Sequence, residues 1–509
     1  MKESISAPSA TTTPAIKSTT PTISAISASF ETSVSPASSA SSPTSPASPE
    51  TPASAALAAS APSAPRGWAL AGLSLGYFMV LLDTTILSVA LPAIRSDLGG
   101  GLTGLQWGVN AYTIVFAGLL LGMGAFADRL GARRVYAAGL VIFVAASALS
   151  AAAPSLGALI ACRAVLGLGG AALLPASLAL LAHAYPEPAS RTRALGIWAS
   201  VTGMAMVAGP IVGGALVDSL SWRSIFLLNV PLGLVSLAAA YLFVSETQRQ
   251  KQRGIDPAGL LLAFASIASL SYALMKSGAY GWSSARIVLA LAVFACSAAL
   301  FGFAEKKGKQ PMLPLSLFKH PTVSAGMLSG MAINAGLSGI LFLLPLYFQQ
   351  SRGWSAHASG LALLPLTLPM TFGPIMTARI AARTGPRAPL TAGFALAAAG
   401  ALLQAWSNAD SAYAMNLIGL LLIGFGIPFI IPPLTAAIMS AAPRTLSGTA
   451  SGALNSSRQL GGTVGVGLLG AIVSGSGSFL SGLHLALAFT AALLVCGGIV
   501  SFVWIGRSR

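Results

Sequence analysis

The chain has 509 residues, 55% hydrophobic and only 8% charged, with a net charge of +16. An average soluble domain carries roughly 25% charged residues, and twelve acids with 28 Lys and Arg cannot coat a soluble surface of this size. The bases are scattered between apolar runs and do not mass on one face, which disfavours a nucleic-acid binder. The composition is that of a polytopic membrane protein.

Residues 1–65 are almost entirely Ser, Ala, Thr and Pro. Such a segment cannot bury enough apolar surface to offset its ordering entropy, so it reads as a disordered, inert cytoplasmic tail. With only Lys2 and Lys17 as bases it is unlike an Arg-rich transit peptide, and its first long apolar run starts only near Trp68, too late for a secretory signal.

From Arg66 onward, apolar runs of about 20 residues or more recur, each long enough to cross a ~30 Å hydrocarbon core. They fall at 68–94, 104–126, 135–153, 156–182, 193–217, 224–245, 257–276 and 285–304, then at 321–348, 357–381, 387–407, 412–440, 449–474 and 481–505. Only helices satisfy the backbone within such runs, so the expectation is an all-α membrane protein with fourteen transmembrane helices. With the N-terminus cytoplasmic, eighteen Lys and Arg fall on inside connections and the C-terminal tail. Outside lie only Arg95, Arg223, Lys276, Arg286 and Arg352. That asymmetry places both termini inside. Cys162, Cys296 and Cys496 lie within apolar runs and form neither a disulfide framework nor a metal site.

A faint repeat joins the two halves. Arg129, Gly131 and Arg133 follow the second span at the spacing with which Arg383, Gly385 and Arg387 follow the tenth, Ala382 standing where Asp128 stands. Gly167, Gly169 and Pro175 of the fourth span echo Gly424, Gly426 and Pro432 of the twelfth. An offset of eight spans implies two six-helix bundles, 66–250 and 311–509, with two helices inserted at 251–310.

Several motifs carry a family resemblance. The segment with Gly124, Asp128, Arg129, Gly131, Arg133 and Arg134 resembles the loop signature between spans two and three of the major facilitator superfamily. The run from Leu82 through Asp83, Thr84 and Thr85 to Pro92 is similar to the first-span signature of its fourteen-span drug:proton antiporter branch, with Ser88 where Asn is usual. Arg163, Gly167 and Gly169 resemble the fourth-span motif, and Gly203, Gly209, Pro210, Gly213 and Gly214 the fifth-span antiporter motif. Asn229 with Pro231, and Asn455 with Arg458 and Gln459, also look typical of this branch, with spacing close to that of methylenomycin-resistance-type exporters. The resemblance spans about residues 67–509 and implies the major-facilitator fold.

Asp83 is the one acid well within a predicted span, Asp218 and Asp256 lying at span ends. Holding a charge there costs about 2.5–3.5 kcal/mol on insertion scales. Burial and a nearby cation push a carboxyl in opposite directions, so such a group can load and release protons. Its other reading is a structural hydrogen bond between helices. Arg163, in the same half of the membrane, is the natural counter-charge, and the resemblance implies that it serves proton transfer; its alternative is snorkelling to the interface. The resemblance also implies that the Asp128 loop latches the cytoplasmic side, against a plain topological signal. The fifth-span glycines read as close packing, as a pliable helix between the bundles, or as both. Gln106, Asn110, Asn334 and Asn455 are candidate cavity residues, which sequence alone does not separate from interhelical glue.

No phosphate loop, zinc spacing or nucleophile–base pair stands out, so no cofactor and no metal are expected. The expected function is a proton-coupled antiporter, a monomer in the bacterial cytoplasmic membrane, exporting small apolar toxic compounds such as antibiotics. The alternatives are a proton-coupled metabolite importer on the same fold and an integral membrane enzyme. The C-terminal spans contain no Asp or Glu, which disfavours dications as substrates.

Overall fold

The computed structural model describes residues 66–247, 249, 256–308, 312–313, 315–408, 410–443 and 446–505. The expected disordered tail at 1–65 and the expected bundle boundaries at 250/251 and 310/311 lie outside the described residues.

Among the described residues, fourteen helical rods follow in chain order. They are α1 (Arg66–Leu98), α2 (Leu102–Leu130), α3 (Ala132–Ala151), α4 (Leu156–Ala184), α5 (Pro188–Ser219), α6 (Ser224–Phe243) and α7 (Pro257–Tyr280). Then come α8 (Ala285–Lys307), α9 (Pro321–Leu346, extended by one π turn at Tyr347–Ser351), and α10, which breaks at Leu363 into Ala356–Ala362 and Leu364–Thr384. The last four are α11 (Arg387–Ala405), α12 (Tyr413–Ala441), α13 (Ser447–Ser474) and α14 (Phe479–Trp504). Counting the bent α2 and α10 as single spans, thirteen are long and apolar enough to cross a membrane. The exception is α13, whose Ser451, Asn455, Arg458 and Gln459 face a cavity.

Side chains set several helix ends. Ser155, Asp256, Ser355 and Ser478 each accept a backbone N–H of the helix they start, replacing bonds the first turn lacks. The repeated glycine has a local cause as well. Gly131 ends α2 at φ +103° and Gly385 ends α10 at φ +75°, left-handed conformations that a side chain would strain.

The pairings of the first six helices recur in the last six. α1 packs on α5 and α6, α4 on α2 and α3, and α3 on α6; α9 packs on α13 and α14, α12 on α10 and α11, and α11 on α14. These are two six-helix bundles related by an offset of eight helices. They meet along α2–α13 and α5–α10, and α7 rests on both α2 and α13. Within their most apolar stretches 72% of α1 and 78% of α9 is buried, against 11% of α8, so α1 and α9 are central and α8 peripheral.

Candidate functional site

Asp83, halfway along α1, and Arg163, on α4, are 0% and 1% exposed. Arg163 Nη1 donates to Asp83 Oδ2, forming an ion pair wholly inside the first bundle. Asn229 of α6 donates to Asp83 Oδ1 at 3.3 Å and to Ser147 Oγ of α3 at 3.0 Å. The guanidinium also donates through Nε to the Gly108 carbonyl of α2 at 3.1 Å and lies 4.7 Å from the Tyr112 ring centre. Glycine places the arginine so closely. A Cβ at Gly167 would overlap the Tyr112 carbonyl, and one at Gly169 would reach 2.8 Å from the Gly139 carbonyl of α3. Breaking such a buried pair on one side leaves an uncompensated charge, at a cost of about 3–5 kcal/mol in soluble proteins.

A cavity of about 480 Å³ lies between the bundles. Arg163 and Tyr112 form part of its wall, so Arg163 separates Asp83 from the open space. Thr84, Thr85 and Ser88 of α1 face it, as do Asn334 and Ser338 of α9 and Asn455, Arg458 and Gln459 of α13. Tyr77 and Trp198 line it as a stacked pair, with ring centres 4.9 Å apart and planes at 10°. Arg458 Nε donates to Asn334 Oδ1 at 3.2 Å. The two expected cavity residues Asn334 and Asn455 are thus on the wall. Gln106 and Asn110 are not. Both are fully buried in the α2–α13 seam, Gln106 donating to the carbonyls of Val466 and Gly467 and Asn110 to that of Thr463.

The antiporter-motif glycines occupy two seams. Gly209 lies against Thr85 and Ile86 of α1, and a Cβ at Gly213 would come within 2.6 Å of Ile86 Cγ1. On the other side of α5, a Cβ at Gly214 would reach 2.5 Å from the Ala356 carbonyl of α10, and Gly360 sits against the Pro210 carbonyl. Gly203 has open space where a Cβ would be, so packing does not explain it. Asp218 finishes this seam. Its Oδ1 accepts from the Ala356 N–H at 3.1 Å and its Oδ2 from the His357 N–H at 2.8 Å, capping the start of α10 from the other bundle. Nearby, Gln349 Nε2 donates to the Val89 carbonyl at 2.9 Å. These contacts lie towards the α1 C-terminal face; Tyr77 and Trp198 carry the cavity towards the opposite face.

The Gly124–Arg134 segment forms the end of α2 and the start of α3, with Gly124, Asp128 and Arg129 on α2. Glu246, beyond α6, accepts the Arg133 backbone N–H at 2.9 Å and lies 3.8 Å from Arg134 Nε. Thr247 accepts the Ala132 N–H at 2.9 Å, and Arg133 Nη2 donates to the Tyr241 carbonyl at 2.6 Å. A side chain at Gly131 would collide with Glu246. Sequence reasoning missed Glu246 and Thr247, and also the parts played by Asn229, Ser147 and Asp218. Asn229 lies in a motif typical of the branch, and a mid-span amide is itself a signal. Among the described residues, no group of three or more His, Cys, Asp or Glu could hold a metal ion.

Two similar helix bundles with a cavity between them, and a buried acid–base pair behind its wall, define a secondary membrane transporter. The chain belongs to the Major Facilitator Superfamily, whose pattern matches residues 73–466. It is 35% identical over 441 residues to the methylenomycin A resistance protein of Streptomyces coelicolor, covering 87% of this chain and 93% of that one. It is 33% identical to the tetracenomycin C resistance and export protein of Streptomyces glaucescens, covering 80% and 76%. Solved structures with the same fold include a POT family transporter in complex with 5-aminolevulinic acid, with TM-score 0.64, 15% identity and coverage of 86% and 96%. Another is an inward-facing bacterial homologue of the lysosomal transporter Spinster, with TM-score 0.61, 16% identity and coverage of 87% and 97%. The chain is a multi-pass membrane transporter for small substrates, of a family whose transport is typically proton-coupled.

Proposed function

We propose that the protein exports small, largely apolar toxic compounds of antibiotic type from the bacterial cytoplasm in exchange for protons. The relatives named for resistance and export support the direction of transport. The observation that carries the coupling is the Asp83–Arg163 pair immediately behind the cavity wall. A proton from outside neutralises Asp83 and releases Arg163 from its counter-charge; its loss to the cytoplasm restores the pair. Each protonation state stabilises a different arrangement of the bundles, and substrate binds one arrangement better.

In this reading both termini are cytoplasmic and the α1 N-terminal face is inside, so the cavity faces the cytoplasm. The α5–α10 seam, with Asp218, is the closed outer gate. The bundle at 66–250 rocks against that at 311–509, the pair at 251–310 riding on the α2–α13 seam. The loop carrying Gly124, Asp128, Arg129, Gly131, Arg133 and Arg134 latches the cytoplasmic side in the other state, and the protein works as a monomer. The test is drug accumulation and resistance across antibiotic classes in cells with and without the protein. Lower accumulation that an uncoupler abolishes is the expected result; higher accumulation would indicate the importer reading.

A further inference from the structure

Among the described residues, only two charged side chains lie on the cavity wall, Arg163 and Arg458, and only one is neutralised. Asp83 answers Arg163. Arg458, on α13, gives its Nε to a neutral amide, and its two Nη groups make no hydrogen bond or ion pair among the described residues. Acids are scarce around it. Helices α9–α14 contain no Asp or Glu, and Asp410 lies in the connection between α11 and α12. A cation in a membrane interior is costly and is retained where it pairs or serves a ligand. The planar guanidinium suits a carboxylate, which it can hold through two parallel hydrogen bonds. The Tyr77–Trp198 stack lines the same cavity as Arg458 and gives a flat apolar face.

We infer that the cavity selects acidic substrates: unsaturated ring compounds bearing a carboxylate or a comparably acidic group, the anion on Arg458 and the ring against Tyr77 and Trp198. This rests on the export reading above and names its substrate class. Arg458 acts by binding and takes no part in proton exchange. Asn334 holds the guanidinium in place through Nε and leaves the outer fork free for the ligand.

The experiment uses the full chain in lipid nanodiscs without a proton gradient, and compares binding of radiolabelled 2-naphthoate and 2-naphthamide, which share ring and shape and differ in charge. The acid should bind more tightly by roughly tenfold or more, the scale of one charge-assisted hydrogen bond. Arg458→Gln should erase the difference. Asn334→Asp should erase it too, by placing a carboxylate on the guanidinium with almost no change of shape, which guards against a folding defect in the first variant. Equal binding of the two probes, binding of neither, or an acid preference that survives both substitutions would overturn the inference. Because no gradient is applied, failure here leaves proton-driven export standing, and failure of proton-driven export leaves a measured acid preference intact.

Discussion

Arg163 ties three helices through one guanidinium, donating to Asp83 of α1 and to the Gly108 carbonyl of α2 from its own place on α4. Asn229 adds α6, and Ser147 through it α3. Any change in the charge of Asp83 is therefore felt at five of the six helices of the first bundle. That wiring is what a proton-driven change of packing needs.

Asn229→Ala should weaken this network without removing a charge. Interhelical polar contacts in membranes average about 0.6 kcal/mol. Leaving a carboxylate short of a donor raises the expected cost to about 1–2 kcal/mol. Thermal unfolding in detergent should show a lowered Tm together with slower exchange; an unchanged Tm would mean that the Asn229 contact is incidental.

Gly214→Val should force α5 and α10 apart, because the first added carbon already meets the Ala356 carbonyl. Overpacking of this kind costs about 1–3 kcal/mol. A cysteine at Ser88 should then react faster with an impermeant maleimide added outside. Unchanged labelling would show that this seam does not close the outer side.

Asp218→Ala removes both acceptors from the first N–H groups of α10. Loss of a side-chain helix cap costs about 0.5–2 kcal/mol. A disulfide engineered between the Asp218 end of α5 and the start of α10 should form more slowly in this variant, while Asp218→Asn, which still offers an acceptor, should fall between. Equal rates in all three would remove Asp218 from the gate.

Much of this architecture is legible in the sequence, because helices in a bilayer must be long and apolar. The fourteen rods fall where the apolar runs do, and α13 shows why the signal weakens at a site: the side chains facing the cavity lower its apolarity. Asp83 and Arg163 stood out because deep charges are costly, and pairing follows from that cost. Azimuth is harder to read than depth. Gln106 and Asn110 look like Asn334 in sequence, yet they bond α13 carbonyls in a helix seam while Asn334 faces the cavity. The same amide serves either purpose, and only packing decides. Asp218 and Glu246 were obscured for another reason: an acid at a span end is unremarkable until the helix N-terminus it caps comes from another part of the chain.

On the proposed latch role of its loop, Asp128→Ala should impair transport by loosening closure on the cytoplasmic side. Cysteines on the cavity wall should become more accessible from the cytoplasmic side as the inward-open arrangement gains population. An inactive variant with unaltered accessibility would rule out the latch.

The central claim is that Asp83 carries the coupled proton, and Asp83→Asn in proteoliposomes tests it most directly. The amide keeps the shape and the possibility of hydrogen bonds to Arg163 and Asn229 while removing the charge. With an imposed pH gradient, the wild-type protein should accumulate an exported drug and move protons in step. The variant should insert normally and still bind the drug, yet show no gradient-driven accumulation. Wild-type accumulation by the variant under the same gradient would contradict the account.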